Sequence, residues 1–217
     1  MSERVLTARQ LNRALLARQL LLERSDLPLT AAIEQIGGLQ TQYAPSGYVA
    51  LWSRLREFPR ESLTAALEDR SVIQATIMRA TIHMVSAADY PLVAAATRPA
   101  RAAWWARTMR KQLEGIDMEE VAAATREVLA AGPIPAARIQ ALLEARGYPR
   151  IAWVSVGHWV DMVRVPPSGT WLRRKADLYG LADEWLAGGA ATAGAAAAGE
   201  ELLVRRYLST STSRLLV

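Results

Sequence analysis

One order of elements recurs along the chain and limits its fold more than any single motif does: helical segments, then a pair of strand-like segments, then the same again. In the first pass Thr7 can cap a helix whose Ala8, Leu11, Leu15 and Leu22 share a face, with Gln10 completing a capping box. That helix is expected to end near Ser25. After "DLPL", Thr30 can cap a second helix through Ile36, stopped by Gly37 and Gly38. "GYVALWSRL" and "RESLTAALEDR" read as further short helices. "SVIQATIMRATIHMVS" then alternates apolar and polar residues on either side of a turn at Arg79 and Ala80, the pattern of a β-hairpin.

The second pass follows a long helix expected from about Ala87 to Leu113. Residues 117–131 look helical, "GP" breaks the chain, "PAARIQALLEARG" is a second helix with Pro135 near its start, and "AWVSVGHWVDMV" a third. "VRV", the turn "PPSG" and "TWLRRKADLYGLA" supply a second wing. Helices followed by a two-stranded wing describe a winged-helix (helix-turn-helix) domain. The expected fold is therefore mainly α with β-hairpin wings, built as tandem winged-helix domains. The expected boundaries are residues 1–86 for the first domain, 87–116 for a connecting basic helix and 117–186 for the second domain. Residues 187–217 read as a linker, "AGGAATAGAAAAGE", and the start of a third unit at "ELLVRRYL".

Composition narrows the chemistry. There is no cysteine, and the two histidines, His83 and His158, cannot build a usual zinc site unaided, so no metal and no cofactor are expected. No apolar run reaches membrane-spanning length, and "MSERVLTARQ" passes straight into a helical pattern without the apolar core of a signal peptide. A cytoplasmic, nucleoid-associated protein with no membrane partner is the expectation. The formal charge of +5 and pI near 10.0 suit a polyanionic partner. Only Lys111 and Lys175 among the 26 basic residues are lysines, however, and arginine-rich coding could produce the same bias.

Two basic clusters are candidates for DNA contact. Around the second wing stand Arg164, Arg173, Arg174 and Lys175, with Ser168 in the turn, a set suited to phosphates. "RPARAAWWARTMRK" interleaves Arg98, Arg101, Arg107, Arg110 and Lys111 with Trp104 and Trp105, although tryptophans at helical spacing usually fill cores. In the third helix of the second domain Trp153, Val156, Val160 and Val163 make the expected buried stripe, leaving Ser155, His158, Trp159 and Met162 outward. None of these outward residues reads a base edge by a bidentate contact, which argues against a sequence-specific repressor. His83 is expected to share a polar strand face with Gln74, Thr76 and Thr81 and, with Arg79, to line a groove.

Between the second and third helical segments lies "GGLQTQYAPSG", which places two neutral amides, Gln40 and Gln42, in a turn without any carboxylate. The blocks "GGLQTQYAPSGYVALWSRL", "IMRATIHMVSAADY" and "RVPPSGTW" occur in this order, and together they resemble the AlkZ and YcaQ type of bacterial DNA glycosylase. The resemblance reaches to about residue 208. It implies tandem winged helices that cradle double-stranded, lesion-containing DNA, and a catalytic motif of glutamine, an apolar residue, then glutamine or aspartate. Here that motif falls on Gln40, Thr41 and Gln42, with Thr41 departing from the apolar middle position. Family members are longer, with a third winged helix and a β-rich C-terminal part. "STSTSRLLV" does not match the start of that third unit, so the chain reads as C-terminally truncated.

Neutral amides fit one kind of bond cleavage. An unmodified base leaves its sugar only with an acid to protonate it, work usually given to carboxylates. A purine alkylated at N7 already carries positive charge, so the site need only orient water and stabilise the sugar cation. Without a lysine near the motif, a monofunctional glycosylase acting as a monomer on N7-alkylated purines, bulky adducts or interstrand crosslinks is the expected activity, in DNA repair or self-resistance. The alternatives are a non-catalytic winged-helix DNA-binding protein, an inactive remnant, and a helical interaction protein with an incidental basic pI.

Overall fold

A computed structural model describes residues 6–186 and 194–210. Its first helix, α1 (Ala8–Arg18), has the expected capping box: the Gln10 N–H donates to Thr7 Oγ1, and the Thr7 N–H to Gln10 Oε1 at 2.9 Å. The helix stops well before Ser25 because the chain reverses at Leu20, whose φ is 57°. Helix α2 (Leu29–Gln35) has Pro28 at its N-cap position and no side-chain cap, so Thr30 lies inside its first turn rather than before it. Gly37 and Gly38 do end it, with φ of 75° and 93°. At Gly38 a Cβ would stand 2.9 Å from Val85 Cγ1. The missing side chain lets the following residues pair as β1 (Leu39–Gln40), a strand not evident in the sequence.

Helices α3 (Pro45–Trp52) and α4 (Arg60–Glu68) lead into the hairpin of β2 (Val72–Thr76) and β3 (Ile82–Ser86). Helix α5 (Tyr90–Thr108) is shorter at both ends than expected, and Arg110 and Lys111 fall beyond it. Asp117 then caps α6 (Met118–Leu129) through the N–H groups of Glu119 and Glu120. β4 (Ile134–Pro135) and α7 (Ala136–Glu144) follow. Helix α8 (Arg150–Val156) closes at Gly157, because the residues beyond it are already needed by the sheet: Met162–Arg164 form β5. The stripe expected on one long helix is therefore divided between a helix and a strand. Ser155, His158 and Met162, expected outward, are all buried. Residues 165–177 form a loop before β6 (Leu178–Leu181) and the short α9 (Ala182–Trp185).

The expectation of a mainly helical chain with β-hairpins is met: among the described residues ten α-helices surround one antiparallel sheet of order β1-β3-β2-β5-β6-β4. The two hairpins join through β2 and β5, with Gln74 opposite Arg164 and Ala75 opposite Val163. Cross-strand partners share a face. Ile73, Ala75, Ile77, Val85 and Val163 thus pack with Tyr90, Val93 and Ala94 of α5 in a core between sheet and helix. Separate cores lie under α2–α4, around Ile33, Leu51 and Leu63, and among α6–α8, around Val121, Leu129, Ile139 and Leu143. Burying each such side chain contributes about 1.5–3 kcal/mol.

Part of the low-complexity segment, residues 187–193, lies outside the described residues, as does the C-terminal "STSRLLV". The alanines after it open α10 (Ala195–Thr210), a full helix. Gly199 lets α10 lie directly on α5, since a Cβ there would overlap the Leu92 carbonyl. Arg206 of α10 pairs with Asp89 at 3.1 Å and lies 3.7 Å from Glu34.

Candidate catalytic and nucleic-acid site

The "QTQ" segment lies at the edge of the sheet. Gln40 stands opposite His83 of β3, and the ladder continues one residue further: the Thr41 N–H donates to the Ile82 carbonyl at 2.8 Å. Gln42 then completes the edge with its side chain, its Oε1 accepting the Ile82 N–H at 3.1 Å. Thr41 is buried, while Gln40 and Gln42 are exposed. This in-and-out alternation is what an extended segment imposes on successive residues. Pro45 opens α3 immediately afterwards, and Ser46 Oγ donates to the Tyr43 carbonyl at 2.6 Å, closing the turn.

Arg79 reaches Gln40 from the turn of the first hairpin, its Nη2 donating to Gln40 Oε1 at 3.2 Å. The turn holds two successive non-glycine residues in the left-handed region, Arg79 at φ 53° and Ala80 at φ 55°. That conformation costs roughly 1–2 kcal/mol per residue. The connection through residues 77–81 also fixes the hairpin's register, placing His83 opposite Ala75 while Gln74 faces Met84 and Thr76 faces Ile82. His83 therefore lies on the other face from Gln74 and Thr76, contrary to the shared polar face expected. It is buried, its Nδ1 lies 3.0 Å from the Thr81 carbonyl, and burial, with the nearby Arg79 charge, holds its pKa below the ordinary histidine value. A neutral imidazole thus lies beside Gln40 in the sheet.

The second hairpin's loop comes to the same place. Arg174 Nη1 donates to the Tyr43 hydroxyl at 3.0 Å, so a side chain from residues 165–177 touches the residue after Gln42. Arg173 and Lys175 flank it, and both pair with Asp177, at 3.3 and 3.0 Å. Ser168 is buried, and its hydroxyl serves the loop itself, donating to the Lys175 carbonyl and accepting the N–H groups of Asp177 and Leu178.

The long basic cluster divides in two. Arg107, Arg110 and Lys111 are exposed at and beyond the C-terminal end of α5. Arg98 and Arg101 are tied into the fold: Arg98 meets Asp161 at 2.6 Å, and buried Arg101 donates to the carbonyls of Thr76 and Gly157. Arg164 is buried too, 4.8 Å from the Tyr179 ring centroid. Of the two tryptophans, Trp104 is exposed, whereas Trp105 donates to Ser155 Oγ and stacks on His158 at 4.5 Å. Tyr43 and Gln74 were not singled out as site residues in the sequence. Tyr43 could have been suspected from its place beside the motif; strand alternation did put Gln74 on a polar face, but with His83 rather than under Thr41. No group of acidic residues and histidines among the described residues could hold a metal ion.

Two exposed amides thus stand on a sheet edge, and arginines converge on that edge from both hairpins, Arg79 on Gln40 and Arg174 on Tyr43. Residues 33–211 match the model of the family described as AlkZ-like, DNA glycosylase AlkZ-like, and the chain belongs to that family. Among solved structures it is similar to Streptomyces sahachiroi DNA glycosylase AlkZ, with a TM-score of 0.74 and 14% identity over 95% of this chain. The similarity covers 58% of that protein, so the chain spans less than two thirds of its length. No curated protein matches the chain.

Proposed function

We propose that the protein is a monofunctional DNA glycosylase that hydrolyses the N-glycosidic bond of N7-alkylated purines, bulky adducts and crosslinks included. The observation that carries this reading is the alternation at the motif: two amides exposed on a sheet edge about a buried Thr41, in a chain of the AlkZ-like family. The alkylated purine leaves as a neutral base, taking the bonding electron pair of the glycosidic bond. The cation left at the sugar is met by an amide oxygen. Gln42 Oε1 keeps one lone pair beyond its bond to Ile82 and can accept from the attacking water, which adds to C1′ and loses its proton to solvent. Neutral amides are weak bases, so this site suits a leaving group that already carries charge.

In the same reading the two hairpins act as winged-helix wings, and Arg79, Arg107, Arg110, Lys111, Arg173, Arg174 and Lys175 meet phosphates of duplex DNA. Phosphate oxygens would replace Gln40 as the partner of Arg79 and Asp177 as that of Arg173 and Lys175. A DNA-binding protein without chemistry is the competing reading, favoured by the engagement of Gln40 Oε1 with Arg79.

A base-release assay on duplex DNA carrying N7-methylguanine decides between them. The glycosylase reading expects release by the wild-type chain and a loss of roughly a hundredfold in Gln40→Ala and in Gln42→Ala. Tight binding with no release by the wild type, or full rates in both variants, would reject it.

A further inference from the structure

Thr41 stands where the family motif has an apolar residue, and the fold supplies a partner for its hydroxyl. Gln74 of β2 donates through Nε2 to Thr41 Oγ1 at 3.3 Å, and both side chains are 1% exposed. On the other side, Thr41 Cγ2 lies 2.9 Å from where a Cβ on Gly47 would be, so the threonine is enclosed between α3 and the sheet. Gln74 is confined in turn. Its Oε1 has no hydrogen-bond partner among the described residues and faces Gly169 of the 165–177 loop, where any Cβ would overlap that oxygen and stand 3.1 Å from Cδ. Gly169 has φ 75° and donates its N–H to the Lys175 carbonyl, so the loop cannot easily yield.

We propose that Gln74 is a positioning residue for the Gln40 and Gln42 pair, seated by Gly169 and acting through Thr41. In an extended segment, fixing the middle residue inward fixes both neighbours outward. The one hydrogen bond that joins the buried hydroxyl to the buried amide N–H makes that fixation specific, because removing either group leaves the other without this partner. The loop carrying Arg173, Arg174 and Lys175 is thereby linked to the amides by packing, so loop geometry and amide geometry change together. The effect on rate rests on the glycosylase reading; the effect on geometry does not.

The test uses the full chain with Thr41→Val, Gln74→Met, the double variant, and Thr41→Ser as the conservative control. Base release is followed in single turnover with enzyme in excess, DNA affinity is measured separately, and hydrogen exchange is read at the Ile82 amide, which reports where Gln42 sits. Each of Thr41→Val and Gln74→Met is expected to slow release roughly ten- to a hundredfold at unchanged DNA affinity and to speed Ile82 exchange. Thr41→Ser should keep the wild-type rate, and the double variant should recover most of it, as an apolar pair orphans no polar group. Wild-type rates in both single variants, or a folded double variant as slow as either, would overturn the proposal. Should the wild type release no base, the glycosylase reading fails and Ile82 exchange decides alone: unchanged exchange in both single variants rejects the positioning role.

Discussion

Arg79 donates to the amide oxygen of Gln40 across 3.2 Å, from a turn in which it and Ala80 both hold left-handed backbone conformations. The sheet edge thus presents a cation and a neutral amide together. Strained backbone that persists in a turn is a reason to look for function there.

Removing that cation should affect binding before chemistry. Arg79→Ala is expected to weaken duplex DNA binding for every sequence alike and to lower the slope of log K against log salt by about 1. Binding titrations at several salt concentrations measure this, and an unchanged slope would place Arg79 off the phosphate track.

His158 is expected to make the fold acid-sensitive. Its imidazole is buried against Trp105, with Nδ1 unpartnered among the described residues, and burial, helped by the Arg101 charge, lowers its pKa to about 4. The unfolded chain, with an ordinary histidine value near 6.5, takes up the proton first as pH falls. Stability is then complete above about pH 6.5 and declines toward pH 4, by up to roughly 3 kcal/mol. Urea unfolding across that range should show the decline in the wild type, and a shallower one in His158→Phe, which keeps the stack and cannot titrate.

Asp161 holds two arginines of α5 against the second half of the chain. Arg98 pairs with it at 2.6 Å and buried Arg101 lies 3.8 Å away. Asp161→Asn should cost about 1–3 kcal/mol, because Arg101 is left buried without its nearest negative charge. Arg98→Ala, at a partly exposed position, should cost less than about 1 kcal/mol. Chemical denaturation of the two variants gives the comparison directly.

Helix α10 tests packing rather than charge. Gly199→Ala would drive a methyl into the Leu92 carbonyl, an atom fixed within α5. The expected loss is roughly 1–3 kcal/mol, read as a lower thermal midpoint. An unchanged midpoint would mean that α10 does not hold its place on α5 in solution.

The sequence by itself determined what neighbouring residues can encode. The capping box of Thr7 and Gln10, the glycine stop at Gly37 and Gly38, the β2–β3 hairpin and the place of Gln40 and Gln42 between helices are all set within a few residues. Tertiary structure decided the rest. The early end of α8 depended on Met162–Arg164 pairing with β6 and, through Val163 and Arg164, with β2; the face taken by His83 depended on the register set by residues 77–81. The contacts of Thr41 with Gln74 and of Tyr43 with Arg174 join residues far apart in the chain. Periodicity and capping report local preference, whereas strand register and buried polar partners are chosen by which distant segments meet. For that reason the amide pair could be found in the sequence, while the contacts that hold it in place could not.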